Sequence, residues 1–484
     1  MGIASEVFER LAGTVGPGGL ITDRGTLESY AADAGSPVMI EPRVPAAAVR
    51  PGSFEQVVEV VRTLSDFKVP TVPRGCGLDY HGNAVPLVED SVVVDLSGMT
   101  GVPDLKASAE GGMYAVVEPG VTFEMLQSVL DEKGMRIPMP ARRPASATII
   151  STYANNHPTF RSSWQGNYNF PMIIPTVQLV TAGGSVIESG GFHTGAMTIS
   201  STGMGLDRIP YGSLGTGGII TAAAVLFERK PRIRKIAFAR FEELADACAA
   251  SKRLLRYSSK EIGETHLILD GVCMSSLLSG SRAEFESAKK RLDGWTYVVC
   301  FSGDDEEWIS IQEKHLGEVA DELRFEFTGE LGRFEAAPML LKELQMPERV
   351  GEVHGYAPHN RLEFYTVFSR IPRYDGIIRA ALRAHGFEKQ PGVFVLPIEQ
   401  ARTCYVEYDI FFDPGDPGEV SRLRATLEEL YPKLFAAGAF FARSDYPLIN
   451  DLMREAAPGY YELVDEIKEI LDPDNIFNAG RLFR

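Results

Sequence analysis

The stretch Val69-Pro-Thr-Val-Pro-Arg-Gly-Cys-Gly-Leu-Asp-Tyr-His-Gly82 decides how the rest of the chain is read. Its apolar run, ending at Pro73, has the composition of a short buried strand. Gly75, Gly77 and Gly82 follow, where backbone N–H groups can approach a ligand with no Cβ in the way. The pattern fits a phosphate cradle, and equally an ordinary glycine-rich loop after a buried strand. Two familiar phosphate motifs are excluded by spacing. A dinucleotide-binding G-x-G-x-x-G opening at Gly75 would need glycine at Tyr80, and a P-loop opening at Gly77 would need lysine at Asn83.

Outward from this loop the pattern alternates quickly. Phe54, Val57, Val58, Val61 and Leu64 recur at helical spacing ahead of it. Strands are expected at 91–95 and 114–120, and a helix at 122–133 closed by Gly134. Residues 142–157, small and hydroxyl-rich, suit a groove lined by polar donors or a plain surface loop. Segments 173–180 and 184–188 flank Thr-Ala-Gly-Gly as a hairpin. A second glycine cradle, Gly212-Ser-Leu-Gly-Thr-Gly-Gly-Ile-Ile-Thr221, then runs into an apolar strand at 222–227, so that a large ligand between the two loops becomes a stronger expectation than either loop gives alone. Helix, strand and loop in such short order describe an α/β layer.

After the basic run Glu228-Arg-Lys-Pro-Arg-Ile-Arg-Lys235 the pattern changes to longer helices (241–257, 282–292, 308–323, 375–385, 419–435) separated by strands (235–240, 295–301, 361–368, 392–397, 404–412). This is an α+β arrangement without short cradles, and the basic run reads as a solvated boundary. Residues 1–40 read as a helical lead with Val7, Leu11, Leu27 and Tyr30 as packing points, and 460–471 as a helix stopped by Asp472-Pro473.

With 44% hydrophobic and 23% charged residues the 484-residue chain has the balance of an ordinary globular protein of about three domains. A net charge of −17 spread along the chain argues against a nucleic-acid or anionic-membrane surface. No apolar run approaches the ~18 residues of a membrane span and no secretory pattern opens the chain, so the cytoplasm is the expected compartment. The five scattered cysteines form neither a disulfide framework nor a zinc motif. His354 and His359 are separated by Gly and Pro, which removes a helical metal pair, so no metal is expected.

Six segments together resemble the vanillyl-alcohol oxidase and p-cresol methylhydroxylase family of FAD-linked oxidoreductases. They are Leu27-Glu-Ser-Tyr-Ala-Ala-Asp33, Val72-Pro-Arg-Gly-Cys-Gly-Leu-Asp79, Val92-Val-Val-Asp-Leu96, Val117-Glu-Pro-Gly-Val-Thr122, Gly215-Thr-Gly-Gly-Ile-Ile-Thr221 and Ile467-Lys-Glu-Ile-Leu-Asp-Pro-Asp-Asn-Ile-Phe-Asn-Ala-Gly-Arg481. The resemblance implies an α+β fold. After the lead (1–40) come a two-subdomain FAD-binding domain of the p-cresol methylhydroxylase (PCMH) type (41–229), an α+β substrate-binding cap (230–440) and a C-terminal segment (441–484) that returns to the FAD domain. The cofactor would be FAD, its pyrophosphate held by the loop Arg74, Gly75, Cys76, Gly77, Leu78 and Asp79 through backbone N–H groups, which needs no lysine. Pro119, Gly120, Ile150, Ser151, Asn155, Gly218, Ile219 and Ile220, with Asn478 and Arg481 from the C-terminus, would complete the site. Leu78 stands where berberine-bridge flavoproteins carry a histidine bonded to the flavin, and His81 lies three residues further on.

The metal-binding His-x-Gly-Asp-Gly-Asn-x-His motif of D-lactate and glycolate dehydrogenases is missing. Phe394-Val-Leu-Pro-Ile-Glu-Gln-Ala-Arg402 and Gly438-Ala-Phe-Phe-Ala-Arg-Ser-Asp-Tyr-Pro-Leu-Ile-Asn-Asp451 are instead similar to the cap and active-site segments of the p-cresol enzymes. The resemblance therefore implies hydride transfer from the benzylic carbon of a 4-alkyl- or 4-hydroxyalkyl-phenol to flavin N5. Arg443 and Tyr446 would hold the phenolate from positions shifted relative to the family's adjacent Tyr and Arg, with Asp409 or Glu407 taking the phenolic proton. Two alternatives stand beside it: an FAD-dependent 2-hydroxy-acid or secondary-alcohol dehydrogenase, and a flavin-carrying electron-transfer subunit of a larger complex. Relatives use oxygen or a cytochrome as electron acceptor and commonly form dimers, so a small aromatic substrate, a cytochrome or other acceptor protein and a homodimer are the implied partners.

Overall fold

The computed structural model describes residues 3–33, 38–108, 112–165, 173–190, 205–257, 262–332, 334–348, 359–443 and 446–482. The Val69 stretch opens with the strand Thr71–Arg74, which lies parallel to Val92–Asp95. Val92–Asp95 in turn pairs in parallel with Ala47–Val49. The crossover is the helix Phe54–Asp66, started by Ser53, whose side chain accepts from the Gln56 N–H, and it buries Val57, Val60, Val61 and Leu64. The lead is less uniformly helical than its periodicity predicts. After the helix Ser5–Val15, Leu20–Ile21 forms a fourth, edge strand against Ala48 and Val49, too short to show any alternation in sequence.

A five-stranded antiparallel sheet follows, in the order Asp104–Ser108, Gly112–Val117, Ile219–Leu226, Thr176–Val180, Val186–Glu188. The second glycine cradle feeds its central strand. The third large sheet is antiparallel with six strands: Ile233–Phe241, Trp295–Gly303, Thr265–Asp270, Gly392–Ile398, Thr403–Phe411 and His359–Thr366. Long helices, among them Leu244–Tyr257, Glu306–Leu323, Ile371–Ala384 and Pro417–Ala436, pack on one face in a single apolar core. The other face packs on the five-stranded sheet through a second core containing Phe238, Leu267, Val298 and Phe394. Burial on both faces explains why these strands read as continuous apolar runs. Helices Gly271–Leu277 and Ala336–Gln345, unforeseen in the sequence, lie in that same second core. His354 lies outside the described residues. Among those described, no helix is long and apolar enough to cross a membrane.

Two joints tie the layers together. At the basic run, buried Glu264 accepts from Arg136 and Arg234 at 2.7 Å each, Arg161 at 3.1 Å and Ser302 at 2.8 Å. Burial opposes its charge, but the surrounding arginines outweigh this and hold its carboxyl below the usual range. At the other joint the C-terminus returns to the glycine loop. Phe477 bridges Thr71, the Asn478 amide donates to the carbonyls of Asn83 (3.1 Å) and Leu214 (2.6 Å), and Arg481 donates to those of Gly82 and Val85.

Replacing Glu264 by Gln leaves three arginines around a neutral group and should cost about 3–5 kcal/mol in urea unfolding at pH 7. Because the folded carboxyl is depressed, its contribution is present above the ordinary glutamate value and is lost as pH falls through the folded one. The wild-type advantage should therefore shrink only below about pH 4; a constant gap down to pH 2 would contradict the assignment. Arg481→Met removes two charged donors from the loop and should raise amide exchange across residues 79–85 at least tenfold, about 1.4 kcal/mol. Unchanged exchange by mass spectrometry would show that the loop holds without it.

Candidate active site

Between the glycine loop, the segment 143–157 and the second cradle lies a cleft of about 100 Å³. Of the residues singled out in the sequence, Arg74, Gly75, Gly77, Leu78, Asp79, Pro119, Ile150, Ser151, Asn155, Gly218, Ile220 and Arg443 are on its wall. Cys76, Gly120, Ile219, Asn478 and Arg481 are not. Ile219 packs in the core on the other side of the strand, and Gly120 sits where a Cβ would come within 2.6–2.8 Å of the carbonyls of Leu96, Ser97 and Met99. Asn478 and Arg481 brace the loop from behind. Burial raises the Cys76 thiol to about 11, which keeps it protonated.

One end of the cleft is a donor surface. Among the described residues, the backbone N–H groups of Gly75, Cys76, Gly77 and Leu78 have no protein acceptor. Gly77 has a φ of +68°, and a Cβ at Gly75 would lie 2.5 Å from the Thr148 hydroxyl, so both positions require glycine. Arg74 turns away from the cleft mouth and donates to the carbonyls of Ala84 at 2.9 Å and Ala32 at 3.0 Å. Four convergent N–H groups without a cation suit a phosphate-bearing ligand.

At the other end the charge chemistry is dense. Asp79 accepts from the backbone N–H groups of His81 and Asn83. Burial opposes its charge, but His81, Arg143 and Arg443 outweigh that and keep it ionised below the usual carboxylate range. Arg443 is buried and in direct ion-pair contact with Glu363. His81 Nε2 is 3.1 Å from Glu363 and 3.3 Å from Arg443, while its Nδ1 is 3.5 Å from the Tyr446 hydroxyl. This group borders a second, tight chamber of about 10 Å³, walled by Tyr365, Tyr431, Tyr446, Phe364 and Phe441.

Glu363 was not foreseen, nor were Arg143, His157, Arg361 and Tyr405. Their signal lies in two strands that alternate polar and apolar while both faces are buried. Arg361, Glu363 and Tyr365 stand opposite Asp409, Glu407 and Tyr405 in register, with Leu362, Phe364, Val406 and Tyr408 on the reverse face. The Tyr405 hydroxyl lies 2.7 Å from Glu363 and 2.6 Å from Glu407 and can donate its proton to either. The two acids named as proton acceptors sit on neither cavity wall. Glu407 pairs with Arg142 at 2.9 Å and Arg361 at 3.4 Å, and Asp409 pairs with Arg142 and with His359 at 3.3 Å. Burial works against the Glu407 charge, but Arg361 and Arg142 hold it ionised, and Glu363 lies between it and the chamber.

Comparison with known proteins agrees with this geometry. Residues 45–190 match the model of an FAD binding domain. Over 92% of its length the chain is 23% identical to the flavoprotein subunit of 4-cresol dehydrogenase (hydroxylating) from Pseudomonas putida, covering 89% of that protein. It is 26% identical to a D-lactate dehydrogenase from Archaeoglobus fulgidus, covering 93% of this chain and 94% of that one. Other matches are partial: the chain is 29% identical to glycolate oxidase subunit GlcD of Bacillus subtilis, spanning 42% of that protein, and 26% identical to an uncharacterized FAD-linked oxidoreductase of Mycobacterium tuberculosis, spanning 58% of that protein. The chain thus spans about half the length of these relatives. In structure it superposes on substrate-bound p-cresol methylhydroxylase with a TM-score of 0.83 at 19% identity, covering 99% and 98% of the two chains. The 4-ethylphenol oxidase of Gulosibacter chungangensis gives the same score and identity. An N–H cradle without lysine, followed by a long cleft with polar groups at its inner end, fits FAD. The matched domain identifies FAD as the cofactor, and the chain has the fold of p-cresol methylhydroxylase.

Proposed function

We propose that the protein oxidises a 4-alkyl- or 4-hydroxyalkyl-phenol at its benzylic carbon. The observation that carries this reading is the buried Arg443, joined to Glu363 and His81, at the border between the cleft and an aromatic-walled chamber. The full-length likenesses to a 4-cresol dehydrogenase subunit and to p-cresol methylhydroxylase support it.

In this reading residues 41–229 hold FAD and residues 230–440 form the cap. The pyrophosphate rests on the N–H groups of Gly75 to Leu78, and Pro119, Ile150, Ser151, Asn155, Gly218 and Ile220 line the remainder. Bound FAD supplies the two-electron acceptor. The work of the chain is to bring the substrate to its phenolate. Arg443 and the Tyr446 hydroxyl hold the phenol oxygen, and the guanidinium favours its charged form in a site with little water. Glu363, in ion-pair contact with Arg443, takes the phenolic proton. Phenolate charge flows through the ring to the benzylic carbon, which eases hydride departure, and loss of hydride leaves a neutral quinone methide that water can trap. Glu407 and Asp409 act one layer back, by holding Arg361 and Tyr405 in place.

A second reading, oxidation of a 2-hydroxy acid, is favoured by the full-length likeness to a D-lactate dehydrogenase. An anaerobic titration of the flavoprotein with 4-cresol, 4-hydroxybenzyl alcohol, D-lactate and glycolate separates the two. The phenols should bleach the flavin absorbance, and bleaching by the hydroxy acids alone would replace the first reading with the second. Arg443→Met should lower kcat/KM for the phenol about a hundredfold, ~2.7 kcal/mol. A loss no greater than that of a surface variant such as Lys433→Met would remove Arg443 from the site.

A further inference from the structure

At the inner end of the cleft two buried side-chain nitrogens, one on His157 and one on Arg143, have no hydrogen-bond partner among the described residues, and they are of opposite kinds. The His157 ring is held by one contact, Nε2 to the Ala141 carbonyl at 2.5 Å. A carbonyl only accepts, so Nε2 carries the proton. Burial, with Arg143 and Arg443 nearby, keeps the ring neutral, so Nδ1 is a bare lone pair, and it has no partner. Arg143 is the complement. Its Nη1 donates to the Arg142 carbonyl at 3.4 Å, but among the described residues its Nη2 makes no hydrogen bond and the nearest carboxylate, Asp79, is 3.8 Å away. His157 is 1% exposed and Arg143 3%, and both line the cleft.

The backbone places them side by side. Ala141 N–H donates to the Pro158 carbonyl and Phe160 N–H to that of Met139, so segments 139–143 and 157–160 run antiparallel. Arg143 and His157 leave this ladder at the same end. The cleft therefore presents one acceptor beside one cationic donor, both desolvated, at the end away from the phosphate cradle.

We propose that Arg143 and His157 read the pyrimidine edge of the flavin ring. That edge offers a carbonyl oxygen, an N3–H and a second carbonyl oxygen in sequence. His157 Nδ1 accepts from N3–H and Arg143 Nη2 donates to a flanking carbonyl. A cation there favours the reduced cofactor, whose added negative charge is shared with the ring's N1 and the neighbouring carbonyl, so Arg143 also raises the reduction potential. The inference rests on FAD being the cofactor and is independent of the substrate.

Two measurements test it without turnover. Apoprotein is titrated with FAD and with N3-methyl-FAD, which lacks the N3 proton, following flavin fluorescence. The wild type should prefer FAD about tenfold; His157→Leu should lose the preference, and His157→Gln, which keeps an acceptor, should retain part of it. A wild type without preference, or a Leu variant that keeps it, overturns the role of His157. Spectroelectrochemistry of the holoprotein then reads Arg143. Arg143→Met should lower the midpoint potential by about 60 mV, a hundredfold change in the ratio of affinities for reduced and oxidised FAD, and Arg143→Lys should recover at least half. An unchanged potential in the Met variant overturns the role of Arg143. Thermal unfolding of each variant checks that it is folded, and Arg143→Gln replaces the Met variant if that one is not.

Discussion

A charge moved out of water needs an opposite charge or a full set of hydrogen bonds, and two neighbouring strands at one side of the six-stranded sheet, His359–Thr366 and Thr403–Phe411, carry four charged groups into such a place. Arg361 and Glu363 face Asp409 and Glu407 across the ladder, Arg361, Asp409 and Glu407 fully buried and Glu363 mostly so. Arg142 reaches over from the turn that follows Pro140 to close the set. Removing any one partner would strand the others, so the six-stranded sheet and the cleft are held in one arrangement. That constraint fixes where Glu363 and Tyr405 point, and through Glu363 where Arg443 and His81 stand.

The same low-polarity setting divides labour among chemically similar groups. Asp79 and Glu407 stay ionised because cations surround them, while burial lowers His359 to about 4 and keeps it neutral. Tyr405, between two carboxylates, is pushed up by burial and by Glu407, and so remains a proton donor. Groups held this firmly position their neighbours more readily than they exchange protons. Glu363, at the chamber border, is where proton exchange with a bound molecule fits the geometry.

At the cradle the governing constraint is steric. The loop offers backbone N–H groups only because Gly75 and Gly77 leave room for Thr148 and Arg74, and it keeps that shape because the C-terminal segment grips it from behind. Two ends of the chain almost 400 residues apart thus form one half of the site.

Local pattern was enough for the cradle, the valine-rich parallel strands, the helix Phe54–Asp66 and the long cap helices, because each depends on neighbours in sequence: glycine freedom, helical periodicity, end signals. The order of the motifs was enough for the fold and for FAD. Tertiary structure alone decided which residues share a wall. Cys76 and Ile219 turn away from the cleft while Arg143 and His157 turn towards it, since side-chain direction depends on register and on a two-rung ladder between segments 139–143 and 157–160. Glu407 and Asp409 read as free acids in sequence and became a buried brace, because the arginines that neutralise them arrive from 46 and more residues away. Charge pairing across that distance leaves no local trace, and this is why the functional layer of the cap had to wait for the fold.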